Sequence, residues 1–245
     1  MEPKMGKEME SALAIRSVVL GVRYEPQYRV GDFLGTLVDS ILHATGTPFN
    51  PDVFPISNAS PVSQELFHPE IQNALKITQS DTLLDFVLPT TDLRKIVNLG
   101  RDFQNYVLGP LHKICGVGKI MRFGMLIRFD ERGVQDLERP TIRYSDPDLP
   151  APRDFGVRFS HRLPTIEGYF RKNVNDYRNL IYTFNENSEA RVSLSLDYQE
   201  YFNPLLEASE WAAHSLPTFI DEGLLYHRTT FATWVKKISK TGKAA

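Results

Sequence analysis

Cysteine is nearly absent. Cys115 is the single one in 245 residues, so no disulfide can form within the chain, which fits a reducing compartment such as the cytosol. Long apolar runs are missing too, and nothing approaches the roughly 18 residues that a bilayer-spanning helix needs. Neither sign of charge dominates: 28 Lys and Arg stand against 30 Asp and Glu, for a net charge of −2. With a pI near 6.3, that balance argues against a broad nucleic-acid or membrane-surface footprint and leaves room for a local basic patch. The segment Met1 to Glu10 is charged and lacks the apolar core of a secretion signal. The expectation is a cytoplasmic protein without membrane association.

Familiar catalytic and cofactor signatures are also missing. The six histidines, His43, His68, His112, His161, His214 and His227, form no close pair on one helical face, so no zinc site is expected. Gly116-Val-Gly118 precedes a strand pattern, whereas a dinucleotide-binding loop follows a strand and opens a helix. There is no Gly-Lys-Ser/Thr phosphate loop and no Gly-x-Ser-x-Gly nucleophile elbow. Cys115 falls after a helix, away from the amino-terminal dipole that would stabilise a thiolate, and reads as an inert thiol. Asp146 and Asp148 lie in a proline-rich stretch and read as solvated turn formers rather than an acid/base pair. No cofactor and no metal is expected, and the chain leans away from catalysis.

What is present is strand patterning. In Lys119–Phe129 the odd positions Met121, Phe123, Met125, Ile127 and Phe129 form an apolar face. Ile120, Arg122, Gly124, Leu126 and Arg128 form a mixed one, because side chains alternate across a strand. Before it come a strand over Ala14–Tyr24, with Val18, Leu20 and Val22 facing one way and Ile15 and Val19 the other, and a helix capped by Asp32. A loop over 46–70 with five prolines follows, either functional and mobile or a tethered surface excursion. Strands over Ala74–Gln79 and Thr82–Leu88 flank a turn at Ser80-Asp81. A second helix opens at Pro89-Thr-Thr-Asp92, is weakened by Gly100, and breaks at Gly109-Pro110.

After the prolines at 140, 147, 150 and 152, strands are expected over Phe155–Leu163, Asp176–Phe184 and Ala190–Tyr198. A short helix is expected from Asn203-Pro204 to Trp211, and a closing helix over Pro217–Ile238. The class is α+β: two halves, mainly antiparallel sheets with helices packed on one face, β-α-β-β-α-β and then β-β-β-α. The expected division is a disordered tail (1–12), an N-terminal half (13–138), a proline-rich linker (139–153), a C-terminal half (154–238) and a tail (239–245), unless the whole is one continuous domain. The halves show no self-similarity strong enough to define a repeat.

The candidate anion- or partner-binding residues are Arg122, Arg128, Arg158 and Arg162, each on the less apolar face of its strand, together with His227 on the apolar stripe of the last helix. If the strands are neighbours, the guanidiniums form a basic floor for an anion, an acidic partner or a nucleic-acid backbone. The plainer alternatives are arginines paired with local carboxylates on a wet sheet face and a packed histidine with one hydrogen bond.

Three segments, Phe103 to Leu111, Arg122-Phe-Gly-Met-Leu-Ile-Arg128 and His227 to Phe231, give the chain a likeness that spans most of its length. It resembles a sporadically distributed family of uncharacterised bacterial and archaeal proteins of about this length. That family's strand more often carries a tyrosine and an asparagine after the second arginine, where Phe129-Asp130 stand here. The resemblance implies an accessory or interaction role in mobile or host-defence gene neighbourhoods, and it brings no catalytic residues with it. The expected function is therefore a non-catalytic binding or assembly protein, an accessory subunit of a bacterial toxin–antitoxin or antiphage system, engaging a protein partner or a second copy of itself. The alternative is an enzyme or nucleic-acid-handling factor with a dispersed site on the arginine-bearing sheet face.

Overall fold

A computed structural model describes residues 10–130, 155–163, 175–186, 192–207, 210, 216–231 and 233–234. One antiparallel sheet of nine strands dominates it, in the order β2-β3-β4-β5-β1-β6-β9-β8-β7. These are β1 (Glu10–Tyr24), β2 (Ile56–Ser60), β3 (Ser63–Phe67), β4 (Ala74–Thr78), β5 (Asp81–Asp92), β6 (Lys119–Phe129), β7 (Phe155–Leu163), β8 (Tyr177–Glu186) and β9 (Val192–Glu207). The helices are α1 (Arg29–Leu42), α2 (Arg94–Phe103), α3 (Gly109–Cys115) and α4 (Leu216–Tyr226). An α+β plan with a mainly antiparallel sheet is what the strand patterning predicts. The two expected halves share this sheet, because β6 pairs with β9 along most of its length. The expected linker at 139–153 lies outside the described residues.

The element order differs from the expected one in specific places. Residues 46–70 are not a loop throughout, since β2 and β3 form a hairpin with Ser60 opposite Ser63. Phe49 and Phe54, both buried, anchor the stretch before it. Helix α1 starts at Arg29, three residues before Asp32, because Val30 begins the buried stripe that continues through Leu34, Leu37 and Ile41. Asp32 instead occupies the first turn, where the helix dipole favours its charge.

Strand β5 runs on through Pro89 to Asp92, and α2 begins only at Arg94, whose N–H donates to Asp92 Oδ1 at 3.0 Å. Gly109-Pro110 does not break the helix. A π-helical turn over Gln104–Leu108 carries α2 into α3, and Pro110, which cannot donate to the helical ladder, follows directly on that widened turn. The helix expected from Asn203-Pro204 is the end of β9 instead. Six residues of β9 (Tyr201 to Leu206) span what three residues of β6 (Arg122 to Ile120) span, so the strand bulges there and accommodates a proline that cannot donate to the ladder.

Bulges also shift which side chains face the core. One extra residue, Met121, lies in β6 opposite the step from Arg23 to Tyr24. Ile120 is therefore buried and Met121 is 37% exposed, the reverse of simple alternation. A similar irregularity between Ile15 and Ser17 brings Ile15 into the same core as Val18, Leu20 and Val22. The helices pack on this inner face. At Gly223 of α4 an added Cβ would lie 2.6 Å from the Met125 methyl, and one at Gly100 of α2 would meet Ile220 of α4. Gly100 therefore does more than weaken α2, since it lets the two helices approach.

Candidate functional site

The outer face of the sheet, opposite these helices, is where the predicted arginines lie. Registered partners in a ladder share a face, so the pairing defines rows across the four strands β6-β9-β8-β7. Arg128 is opposite Ser195, Ser195 opposite Thr183, and Thr183 opposite Arg158. One row over, Leu126, Asp197, Ile181 and Ser160 align; the next row holds Gly124, Gln199, Asn179 and Arg162. The last holds Arg122, Tyr201 and Tyr177. The structure thus brings Arg122, Arg128, Arg158 and Arg162 to one face. It does not make them a contiguous floor, because β9 and β8 separate β6 from β7 by three strand spacings, about 14 Å.

Two of the arginines are joined through aromatic rings. Arg162 lies over the Tyr177 ring at 4.2 Å, and Tyr177 stacks on Tyr201 at 4.5 Å with 9° between the planes. Arg122 lies 5.6 Å over Tyr201. Since Arg122 and Arg162 come from the strands outside this pair, the four side chains form a row with a cation at each end. Cation–π attraction is worth about 0.5–1 kcal/mol where solvent reaches the pair, and the stack fixes side chains that would otherwise rotate.

Hydrogen bonds continue the row. Arg122 Nη1 donates to the Tyr201 hydroxyl at 3.3 Å, that hydroxyl donates to Gln199 Oε1 at 2.8 Å, and Gln199 Nε2 donates to Asp197 Oδ2 at 2.7 Å. Partial burial pushes the Asp197 carboxyl up, while the Gln199 hydrogen bond and the fields of Arg122 and Arg158 pull it down. Arg128 behaves as the plainer reading expects: it pairs with Asp85 across β1 at 2.9 Å and donates to Ser17 Oγ at 3.2 Å.

His227 lies elsewhere. It is buried on the inner face, stacked on Phe129 with 5.2 Å between ring centroids, and burial holds its pKa down to about 4. It is neutral at physiological pH and contributes no cation to an anion site. Cys115 is buried at the C-terminal end of α3, and burial pushes its thiol up, so thiolate chemistry is disfavoured. Among the described residues no group of three or more His, Cys, Asp and Glu is placed to hold a metal, and no helix is long and apolar enough to cross a membrane.

Sequence reasoning missed a charged cluster on the inner face. Arg178 of β8 is buried, with Nε 3.3 Å from Glu200 Oε1 of β9 and Nη2 3.2 Å from Glu222 Oε2 of α4. The signal was available. Arg178 shares parity with Leu180, Tyr182 and Phe184, and Glu200 with Leu196 and Tyr198, so an arginine and a glutamate occupy core-facing positions of neighbouring strands. Nearby, the Asn203 N–H donates to Asp176 Oδ1 at 2.6 Å. This cluster ties two strands to a helix and has a structural character. Comparison with protein-family models and with curated proteins returns no match for the chain.

Proposed function

We propose that this is a non-catalytic binding or assembly protein that docks a protein partner on the outer face of its sheet. The observation that carries this reading is the Arg162–Tyr177–Tyr201–Arg122 row on a face against which no described helix packs. Arginine and tyrosine are the side chains most enriched at interface hot spots. Held in a stack before binding, they lose less side-chain freedom on association. Asp85 and Asp197 interleave with the arginines, so the face offers a patterned mixture of charge rather than a uniform cationic surface. Patterned charge favours choice of partner and fast encounter over raw affinity. An accessory role in a bacterial toxin–antitoxin or antiphage system is the setting that the sequence resemblance adds.

Nucleic-acid binding is the rival, and the ring geometry weighs against it. Single-stranded nucleic acid is held by stacking bases on open aromatic faces. Here each tyrosine has one face against the other ring and one toward a guanidinium. Affinity purification from the native host, with wild type beside Arg162→Glu/Tyr201→Ala, tests the proposal. A protein recovered in stoichiometric amount with wild type and lost with the equally stable variant supports it. The same proteins recovered with both overturn it. Salt-sensitive binding of single-stranded RNA at low ionic strength, with no protein partner, would establish the rival.

A further inference from the structure

A second candidate site lies on the inner face, near the edge of the sheet that β7 forms. After α4 the backbone widens into a π-helical turn over His227–Phe231, a local irregularity that recurs at functional sites. Between this turn, Trp234 and the inner faces of β7 and β8 is a cavity of about 830 Å³, within the range of pockets for drug-sized ligands. One wall is aromatic. Trp234 stacks on Tyr182 with centroids 5.4 Å apart, and Phe159 meets Trp234 edge-on at 5.9 Å. Phe159 is 43% exposed, an apolar surface that a bound ring would cover.

The polar lining is selective. Arg228 lines the cavity, and its ion pair to the exposed Asp221 is long, at 3.8 Å. Among the described residues no carboxylate lines it, so a cationic ligand would meet Arg228 without compensation from them. The Thr229 and Thr233 hydroxyls donate to the carbonyls of Leu225 and Thr229, which leaves their oxygens as acceptors only. Tyr182 contributes its ring to the lining, while its hydroxyl is buried away from the open space and has no hydrogen-bond partner among the described residues. Burial pushes that hydroxyl up to about 12, so it is an O–H donor at any physiological pH. Among the described residues the lining holds one guanidinium, Arg228, with the His161 imidazole as the other basic side chain, which suits a monoanion rather than a polyphosphate.

We infer that this cavity binds a small planar aromatic monoanion, an aryl carboxylate in chemical class, with its ring against Phe159 and Trp234 and its charge on Arg228. Isothermal titration of the full chain with 2-naphthoate, and with the neutral 2-naphthalenemethanol, tests it. Wild type should bind 2-naphthoate saturably at one site and the neutral alcohol at least tenfold more weakly. Arg228→Gln should lose about tenfold for the carboxylate and little for the alcohol. Absence of saturable binding at millimolar 2-naphthoate overturns the inference. So does equal affinity in wild type, Arg228→Gln and Phe159→Ala. The outer sheet face takes no part in this experiment, so its reading stands or falls separately.

Discussion

Glu200 sets a pH dependence that the buried charge cluster makes calculable. Its carboxyl is 1% exposed, and burial pushes it from an ordinary 4.5 up to about 8. Arg178 opposes that rise, but its Nε is 3.3 Å away, long beside the 2.7–2.9 Å typical of strong charge-assisted bonds, so desolvation dominates. Between pH 4.5 and about 8 the folded protein then holds a proton on Glu200 that the unfolded chain has lost. By linkage, the contribution is fully favourable below 4.5 and is lost as pH rises, at about 1.4 kcal/mol per pH unit. Across the window the ceiling is about 5 kcal/mol. Glu200→Gln removes the titration and keeps an amide oxygen that accepts from Arg178. Urea unfolding of both proteins at intervals from about pH 5 to about pH 8 reads the difference. Near pH 5 the two should be similar, and by pH 8 the variant should be the more stable by up to about 5 kcal/mol. A wild type that is flat over this window, with Glu200→Gln less stable at every pH, would refute the reasoning and show Glu200 ionised against Arg178.

His227 gives the opposite slope. Held near 4 by burial, below its ordinary 6.5, it contributes stability that is present above pH 6.5 and lost as pH falls toward 4, by up to about 3 kcal/mol. An NMR titration of its ring protons should show a midpoint near 4, and a midpoint near 6.5 would mean that the ring is not buried. Gly223→Ala places a methyl 2.6 Å from Met125 and against the Tyr198 ring. It should cost about 1–3 kcal/mol in urea unfolding, the usual penalty for overpacking, and no loss would mean that α4 moves freely away from β6 and β9.

The legible parts of this fold are those where burial on one side imposes a period of two. Phe123, Met125, Ile127 and Phe129 of β6, and Leu194, Leu196 and Tyr198 of β9, are core residues as alternation predicts. The same alternation placed Arg122, Arg128, Arg158 and Arg162 on the outer face. Alternation fails where the chain gains a residue. Met121 changes places with Ile120 because a bulge resets the phase, and no local residue type marks the extra position.

Strand β2 was invisible for another reason. Ile56-Ser-Asn-Ala-Ser60 is exposed along its whole length, so its conformation comes from pairing with β3 and not from a buried face. Sheet order was likewise beyond local pattern. Placing β9 and β8 between β6 and β7 depends on contacts far apart in sequence, and that order sets two of the four arginines, Arg122 and Arg162, at the ends of one aromatic row. The tyrosines at 177 and 201 became part of the site only once their strands were known to pair.

The docking proposal for the outer face is tested most directly by hydroxyl-radical footprinting of the protein alone and with the partner that co-purifies with it. Tyr177 and Tyr201 should lose reactivity in the complex, while Phe159 and Trp234 on the opposite face keep theirs. Unchanged oxidation of both tyrosines in a stoichiometric complex would contradict the account and move the interface off this face.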